Sequence, residues 1–472
     1  MSGRAECFAR VLSAAIALAF SFPIPGMAQG ALSAEDSLLA AEMLEELIEI
    51  KSLSASPATI EAADAMTARL IEAGFAAEAV RVVGPDSGTG NLVARYRGDG
   101  TGGAPILLMA HLDVVDARPE DWSVDPFTMT EDDGWWYGRG TTDNKAGAAI
   151  LVANFIRYKQ EGFVPSRDLI VVLTGDEETT SAGIKWLVGE GREWIGDPAF
   201  ALNTDSGGGV LRDGKEALFG VQASEKIYLT FLLETTSAGG HSSRPAPDNA
   251  IYRLAAGLTR LAEHRFPVAL NEVTRGFFER SAAVEEGRLA ADMRAVAGDP
   301  PDSAAAARLS ASPFTNALLR TTCVPTRLEA GHADNALPQR ASATVNCRIL
   351  PGGSPDEVEA VVREVLADEG ITSTRVNTPT ASPPSPLTPA VLEPIEQITA
   401  GMWPGVPVVP EMSTGATDGL YVRNAGIPVY GVGAIFQDPD DERAHGRDER
   451  IAIDRYYEAL EYWYRLVREL SE

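Results

Sequence analysis

The chain holds only five histidines, His111, His241, His264, His332 and His445, and two of them stand among carboxylates in a way that suggests chemistry. His111 ends the apolar run of LLMAHLDVVDA. That places it at the carboxyl end of a strand, where active sites of α/β sheets form. Asp113, two residues on, is placed to hold the imidazole in one tautomer, as metal-bound histidines require. In GRGTTDNKAG, Asp143 stands at the start of a helix, where it is either an N-cap or a carboxylate bridging two cations. VVLTGDEETTS sets Asp176, Glu177 and Glu178 just after a second apolar run. Adjacent carboxylates at a buried strand end need cations to be tolerated; the alternative is a solvated acidic turn. ALNTDSGGG adds Asp205 after a third apolar segment, and DERAHGRDER carries His445 in a charged loop. Two imidazoles with three carboxylates suit a pair of zinc-like ions, and one glutamate is left over to act as a base. Neither G-x-S-x-G nor H-E-x-x-H occurs, which argues against a serine hydrolase or a single-zinc protease.

The elements that would position these groups are legible as short apolar runs, Ile106 to Ala110, Leu169 to Leu173 and Pro428 to Val432. Each has the length of a strand buried on both faces. Helical patterns separate them, one over about Asn144 to Lys159. The chain after residue 30 opens with a helix whose start, Ser33 and Asp36, has capping-box spacing. Gly98, Gly100 and Gly103 fit G-x-G-x-x-G, but Pro105 and a strand follow, so a turn is expected there and not a dinucleotide site. Strands alternating with helices predict an α/β sheet with helices on both faces. The middle changes character: a strand over Ile227 to Leu233, a helix over Ala250 to Glu263, a polar Ala-rich stretch from Val284 to Arg308 broken at Asp299-Pro300-Pro301, and a strand over Arg340 to Leu350. This predicts an inserted α+β domain over 222–350, flanked by catalytic parts over 31–221 and 351–472, with the Pro-rich loop Asn377 to Pro389 in the second.

Bulk properties narrow the partners. A net charge of −27 in 472 residues repels phosphate backbones, so nucleic acid is not expected. Arg4 and Arg10 precede an apolar run, Val11 to Phe22, and Gly26 and Ala28 supply small residues before a cut. Residues 1–28 read as a signal peptide, and the chain as exported to the periplasm or beyond. No other stretch is apolar enough for a membrane span. Cys7 falls in that segment, leaving Cys323 and Cys347 either paired or as two buried thiols.

Taken in order, HLDVV, GRGTTDNK, DEE, NTDSG, GGHSS and AHGRDE resemble the co-catalytic zinc peptidase family of aminoacylases, succinyl-diaminopimelate desuccinylase, acetylornithine deacetylase, glutamate carboxypeptidases and vacuolar carboxypeptidase S. The resemblance runs from about residue 35 to the C-terminus. It implies a mixed-sheet catalytic domain with an inserted lid that also serves dimerisation, and two divalent metal ions, zinc first, with cobalt or manganese as substitutes. His111, Asp143 and Asp205 would hold one ion; Asp143, Glu178 and His445 the other. Asp113 would orient His111 and Glu177 would be the general base. The peptide bond Asp143–Asn144 would be cis. His241 of the lid would steady the oxyanion, in some relatives across a homodimer. Asn335 and Arg348 would grip substrate, and Gly415 and Thr417 would lie on a substrate-facing loop. His264 and His332 have no counterpart and are expected on the surface or in the core.

The resemblance implies amide hydrolysis but leaves two substrate classes open. Asp205, where deacylases and glutamate carboxypeptidases often carry Glu, favours a peptidase acting on short peptides, of dipeptidase type, while the long lid and the AHGRDE ending look more like the carboxypeptidase S branch. An N-acyl-amino-acid amidohydrolase is the alternative. A binding module that has kept the fold is remote, because every ligand position and Glu177 are present.

Overall fold

The computed structural model describes residues 32–472 other than 55 and 87, so the expected signal peptide lies outside the described residues. The body is a mixed sheet of ten strands. At its centre Leu169–Thr174, Ile106–His111, Phe200–Asn203 and Val429–Gly431 run parallel to one another. Asn91–Tyr96 and Val80–Val83 extend it antiparallel on one side, and Lys215–Glu225, Gly208–Arg212, Phe436–Gln437 and Val408–Ser413 complete it on the other.

The central strands read as continuous apolar runs because both their faces are covered. Successive side chains alternate: Ile106, Leu108 and Ala110 enter one core with Val171 and Leu173, while Leu107 and Met109 enter another with Ile170 and Val172. The first core packs under the helices Ala34–Glu49, Pro57–Glu72, Lys145–Glu161 and Ile453–Glu469. The second packs under Ala182–Val188 and Gly419–Asn424. The capping box at Ser33 is present, the Ser33 hydroxyl accepting from Asp36 N–H and the Asp36 carboxylate from Ser33 N–H. The helix expected from Asn144 begins one residue later, and its first fourteen residues, Lys145 to Tyr158, are all buried.

A second, antiparallel sheet has the order Thr322–Ala330, Arg340–Ile349, Ile227–Thr236, Ile371–Arg375. The helices Ala250–Glu263 and Pro355–Leu366 contribute Leu254, Leu261, Val358 and Val362 to its core. The expected boundary at residue 350 therefore falls inside this unit, because Leu366 and Ile371 are needed to close its core. Conversely, Val273, Phe277, Phe278 and Val296 join the main core. They lie on Glu272–Ser281 and Gly287–Ala297, two of the helices that fill the middle of the expected insertion. The chain thus leaves the catalytic body, returns to it, and leaves again, and composition carries no sign of such a return.

Cys323 and Cys347 are disulfide-bonded, directly opposite each other on neighbouring strands of the smaller sheet. A cross-link closing 24 residues restricts the unfolded chain by about 3 kcal/mol. Reduction is expected to lower the denaturant midpoint of this unit accordingly; a midpoint indifferent to reductant would show that the bridge contributes nothing. Among the described residues no helix is long and apolar enough to cross a membrane.

Candidate active site

The parallel strands deliver their carboxyl ends to one place. His111 is the last residue of its strand, Glu177 and Glu178 follow Leu169–Thr174, and Asp205 follows Phe200–Asn203. The loop after Phe436–Gln437 brings His445. His111 Nε2 lies 2.9 Å from Asp143 Oδ1 and 3.7 Å from Asp205. His445 Nε2 lies 3.1 Å from the other oxygen of Asp143 and 3.0 Å from Glu178. Ligand atoms of His111, Asp143 and Asp205 are all within 4.8 Å of one another, as are those of Asp143, Glu178 and His445. The two groups share Asp143, and together they are the five residues expected to hold metal.

The donor chemistry fits cations. His111 Nδ1 is 2.9 Å from the backbone carbonyl of Asp113. A carbonyl can only accept, so Nδ1 carries a hydrogen, and Nε2 meets the Asp143 carboxylate through either a proton or a cation. In both cases positive charge sits between imidazole and carboxylate. The electrostatics say the same. Burial resists a charge on His111, yet Asp205 and the surrounding carboxylates raise its pKa well above the usual histidine value. Hydrogen bonds to Asp143 and Glu178 raise His445 to about 10. Burial pushes Asp205 up to about 6, with Asp143 and Glu178 adding to the push. Against its own burial, Asp143 is held well below the carboxylate range by both imidazoles. A field this negative in a buried site calls for cations.

Asp113 does less for His111 than expected. Its carboxylate is 3.5 Å from Nδ1, and its backbone carbonyl holds the ring instead. The fully buried carboxylate accepts from the N–H of Glu177 at 3.1 Å and of Glu178 at 3.0 Å, so Asp113 fixes the loop carrying both glutamates. Of these, Glu178 is bonded to His445. The Glu177 carboxylate makes no hydrogen bond or ion pair among the described residues, and burial followed by the charge of Asp205 raises its pKa well above the carboxylate range. Asp176 stands apart: it accepts from Ala182 and Gly183 N–H and from the Thr180 hydroxyl, capping the next helix.

The N-cap alternative for Asp143 fails. The cap position is Asn144, without a side-chain cap bond, and the Asp143–Asn144 bond is cis. Asn144 Oδ1 accepts from Thr204 Oγ1 at 2.6 Å, tying this helix start to the loop of Asp205. Gly147 permits that approach, since a Cβ there would meet Thr204 Oγ1 at 2.2 Å.

Four further residues that residue type and spacing did not single out build the site. Glu449 is fully buried. It accepts from Arg139 Nη1 at 2.6 Å and Gly140 N–H at 3.1 Å through one oxygen. Through the other it accepts from Thr142 N–H, the Thr142 hydroxyl and Asp143 N–H at 2.8, 2.9 and 3.1 Å. Arg139 Nη2 also donates to the carbonyl of Gly446 at 2.9 Å, bracing His445, whose φ of 61° is left-handed. Lys145, fully buried, donates to the carbonyls of Leu47 and Ile50 at 2.6 and 2.8 Å, the end of the first helix. Burial lowers its pKa to about 7. Asp418 accepts from the Thr174 hydroxyl at 2.6 Å, and burial raises it to about 7. The spacing AHGRDE held the sign for Glu449, but only its histidine read as functional.

The expected lid residues lie outside this cluster. His241 is exposed on a short antiparallel pair with Ala336, its Nδ1 2.7 Å from the Ser243 hydroxyl. Asn335, also exposed, accepts from Ser242 N–H through its carbonyl at 3.0 Å, so the fold brings Asn335 beside His241. Arg348 sits on the smaller sheet, over the Tyr228 ring at 4.6 Å and bonded to Asn346. It forms no ion pair among the described residues, and burial lowers its pKa. Thr417 is buried, its hydroxyl accepting from Gly419 N–H and its own N–H donating to Glu225. Gly415 is half-buried in that loop. His264 packs edge-on against Phe266, and His332 is exposed.

A family model described as peptidase family M20/M25/M40 matches residues 107–469. Human N-fatty-acyl-amino acid synthase/hydrolase PM20D1 is 29% identical over 377 residues, 77% of this chain and 74% of that protein. The succinyl-diaminopimelate desuccinylase of Dinoroseobacter shibae is 27% identical over 440 residues, 89% of this chain and 96% of that protein. Among solved structures, the M20 family metallo-carboxypeptidase Sso-CP2 from Sulfolobus solfataricus superposes with a TM-score of 0.69 at 18% identity, over 91% of this chain and 99% of that one. That likeness is one of fold.

Proposed function

Because the chain belongs to peptidase family M20/M25/M40 and is a hydrolase of amide bonds, we propose that it hydrolyses N-acyl amino acids and does so outside the cytoplasm. The observation that carries the mechanism is the sharing of Asp143 between two imidazole–carboxylate groups, with the unbonded carboxylate of Glu177 alongside. Two divalent cations, zinc first, would be held by His111, Asp143 and Asp205 and by Asp143, Glu178 and His445, and would supply Lewis acidity that lowers the pKa of water and polarises the amide carbonyl.

The chain's own residues do the rest. Glu177 accepts a proton from the attacking water, and its environment, which disfavours charge on it, makes it ready to take one. It returns that proton to the amide nitrogen as the C–N bond breaks, giving a free acid and an amine. His241, on its short pair with Ala336, is suited to donate to the oxyanion. Arg348 is a partly buried guanidinium, over Tyr228 and bonded to Asn346, without a carboxylate partner among the described residues, and it would take the substrate's carboxylate.

That same arginine suits the C-terminal carboxylate of a peptide, which keeps a peptidase as the second reading, and Asp205 favours a peptidase as well. Names of relatives that act on N-acylated amino acids favour the first. The test is hydrolysis, with zinc or with chelator, of matched N-acyl amino acids, N-blocked dipeptides and free dipeptides. Chelator-sensitive cleavage of N-acyl amino acids, at least about tenfold over free dipeptides, is expected. A preference for free dipeptides would move the enzyme to the dipeptidases. Export rests on residues 1–28 and on the Cys323–Cys347 bridge, which persists in oxidising compartments. Recovery of the full-length protein only from the cytosol would remove it.

A further inference from the structure

A half-open recess of about 1000 Å³ lies beside the cluster. Thr142 lines it, and so does Arg443. Thr142 precedes Asp143 and Arg443 stands two residues before His445, and consecutive Cα atoms are about 3.8 Å apart. The recess therefore begins within one or two residues of both ligand groups. Its walls come from several elements: Trp135 from a short strand, Leu211 and Phe436 from neighbouring strands at one end of the main sheet, Ile435 just before the second of these, and Ile453 and Tyr457 from the start of the last helix.

The chemistry of the walls selects the occupant. Leu211, Ile435, Ile453, Trp135 and Tyr457 are only half-buried although they face one another, and apolar surface gathered around a recess favours apolar contents. The cations at the rim are already engaged. Arg450 pairs with Asp441 and stacks on Trp135 at 4.0 Å. Arg455 pairs with Glu216 and Glu458, and Arg443 pairs with Asp441. Asp133, Asp438 and Asp454 also border the opening, so a free anionic headgroup is disfavoured there. A neutral, flexible chain is what remains.

We infer that this recess is the acyl-chain site of the enzyme, taking the aliphatic tail of a medium- or long-chain N-acyl amino acid while the amide lies at the cluster around Asp143. The inference rests on the N-acyl-amino-acid reading above and adds the chain length. Each methylene that enters such a site gains about 0.8 kcal/mol, about a fourfold effect.

The experiment measures kcat/KM for a series of N-acyl derivatives of one amino acid, from acetyl to palmitoyl. Wild type and two variants are compared. Leu211→Trp fills the recess. Ile453→Asp makes its wall polar at the first turn of a helix, where a carboxylate is well tolerated. Wild type is expected to gain about threefold or more per methylene over part of the series, and both variants to lower the long-chain to acetyl ratio by about thirtyfold or more. Equal efficiency along the series in wild type would overturn the inference, as would a chain-length preference that survives both variants. No hydrolysis of any member, acetyl included, while peptides are cleaved, would instead overturn the N-acyl reading on which it stands.

Discussion

Glu177→Ala is expected to lose about 10²- to 10⁴-fold in kcat, the range a positioned general base supplies, while still binding two cations per chain. Three observations set that expectation apart from a generic active-site lesion. The Glu177 carboxylate holds no partner among the described residues, whereas its neighbour Glu178 is 3.0 Å from His445. The backbone of Glu177 is fixed independently of its side chain, through the buried Asp113 carboxylate, so truncation leaves the loop in place. Burial and Asp205 raise its pKa, which favours the protonated state that must form during turnover. The contrast with Glu178→Ala is therefore diagnostic: that change removes a partner of His445 and is expected to lower cation content as well as rate. Kinetics and metal analysis on the two purified variants decide the matter. If Glu177→Ala keeps more than about a tenth of wild-type kcat, or loses a cation, the proton carrier is another group.

Much of this site could be read from residue types alone, for a physical reason. A parallel strand buried on both faces must be an apolar run, so a polar residue directly after one is conspicuous. That is how His111, the Asp176–Glu177–Glu178 run and Asp205 announce themselves: His111 is the last residue of its strand, and the others follow theirs. The three acidic residues in that run look alike in sequence, yet they divide into a helix cap, an unbonded carboxylate and a partner of His445. Only the fold distinguishes them. Glu449, Arg139 and Lys145 lie inside AHGRDE and GRGTTDNK, yet only long-range contacts show what they do. Glu449 and Arg139 are separated by 310 residues and meet as a buried pair. Lys145 reads as an ordinary helix lysine until its Nζ is found against the end of the first helix. The boundary of the smaller unit was misplaced for a similar reason: strand Ile371–Arg375 crosses to a sheet whose other members end before residue 350.

Glu449→Ala should be the most damaging change away from the ligands themselves. The variant leaves Arg139 as a buried cation without its acid, at a cost of about 3–5 kcal/mol. It also strips the acceptor from the N–H groups of Gly140, Thr142 and Asp143. Those groups form the segment that presents the shared carboxylate, and Glu449 follows His445 by four residues, so one side chain sets the spacing between Asp143 and His445. Loss of such support commonly lowers metal affinity about 10- to 100-fold. Glutamine should not rescue it. Both oxygens of Glu449 accept, and an amide nitrogen in place of either would face donors only: Arg139 and Gly140 on one side, Thr142 and Asp143 on the other. Aspartate is one methylene short of spanning both sets. Calorimetric titration of zinc into the metal-stripped variants, beside their urea midpoints, separates the two consequences. A lower midpoint with unchanged zinc affinity would mean that Glu449 only stabilises the fold. Weakened zinc binding in every variant that remains folded is the outcome the geometry demands, because the hydrogen bonds lost are those that aim Asp143 at both imidazoles.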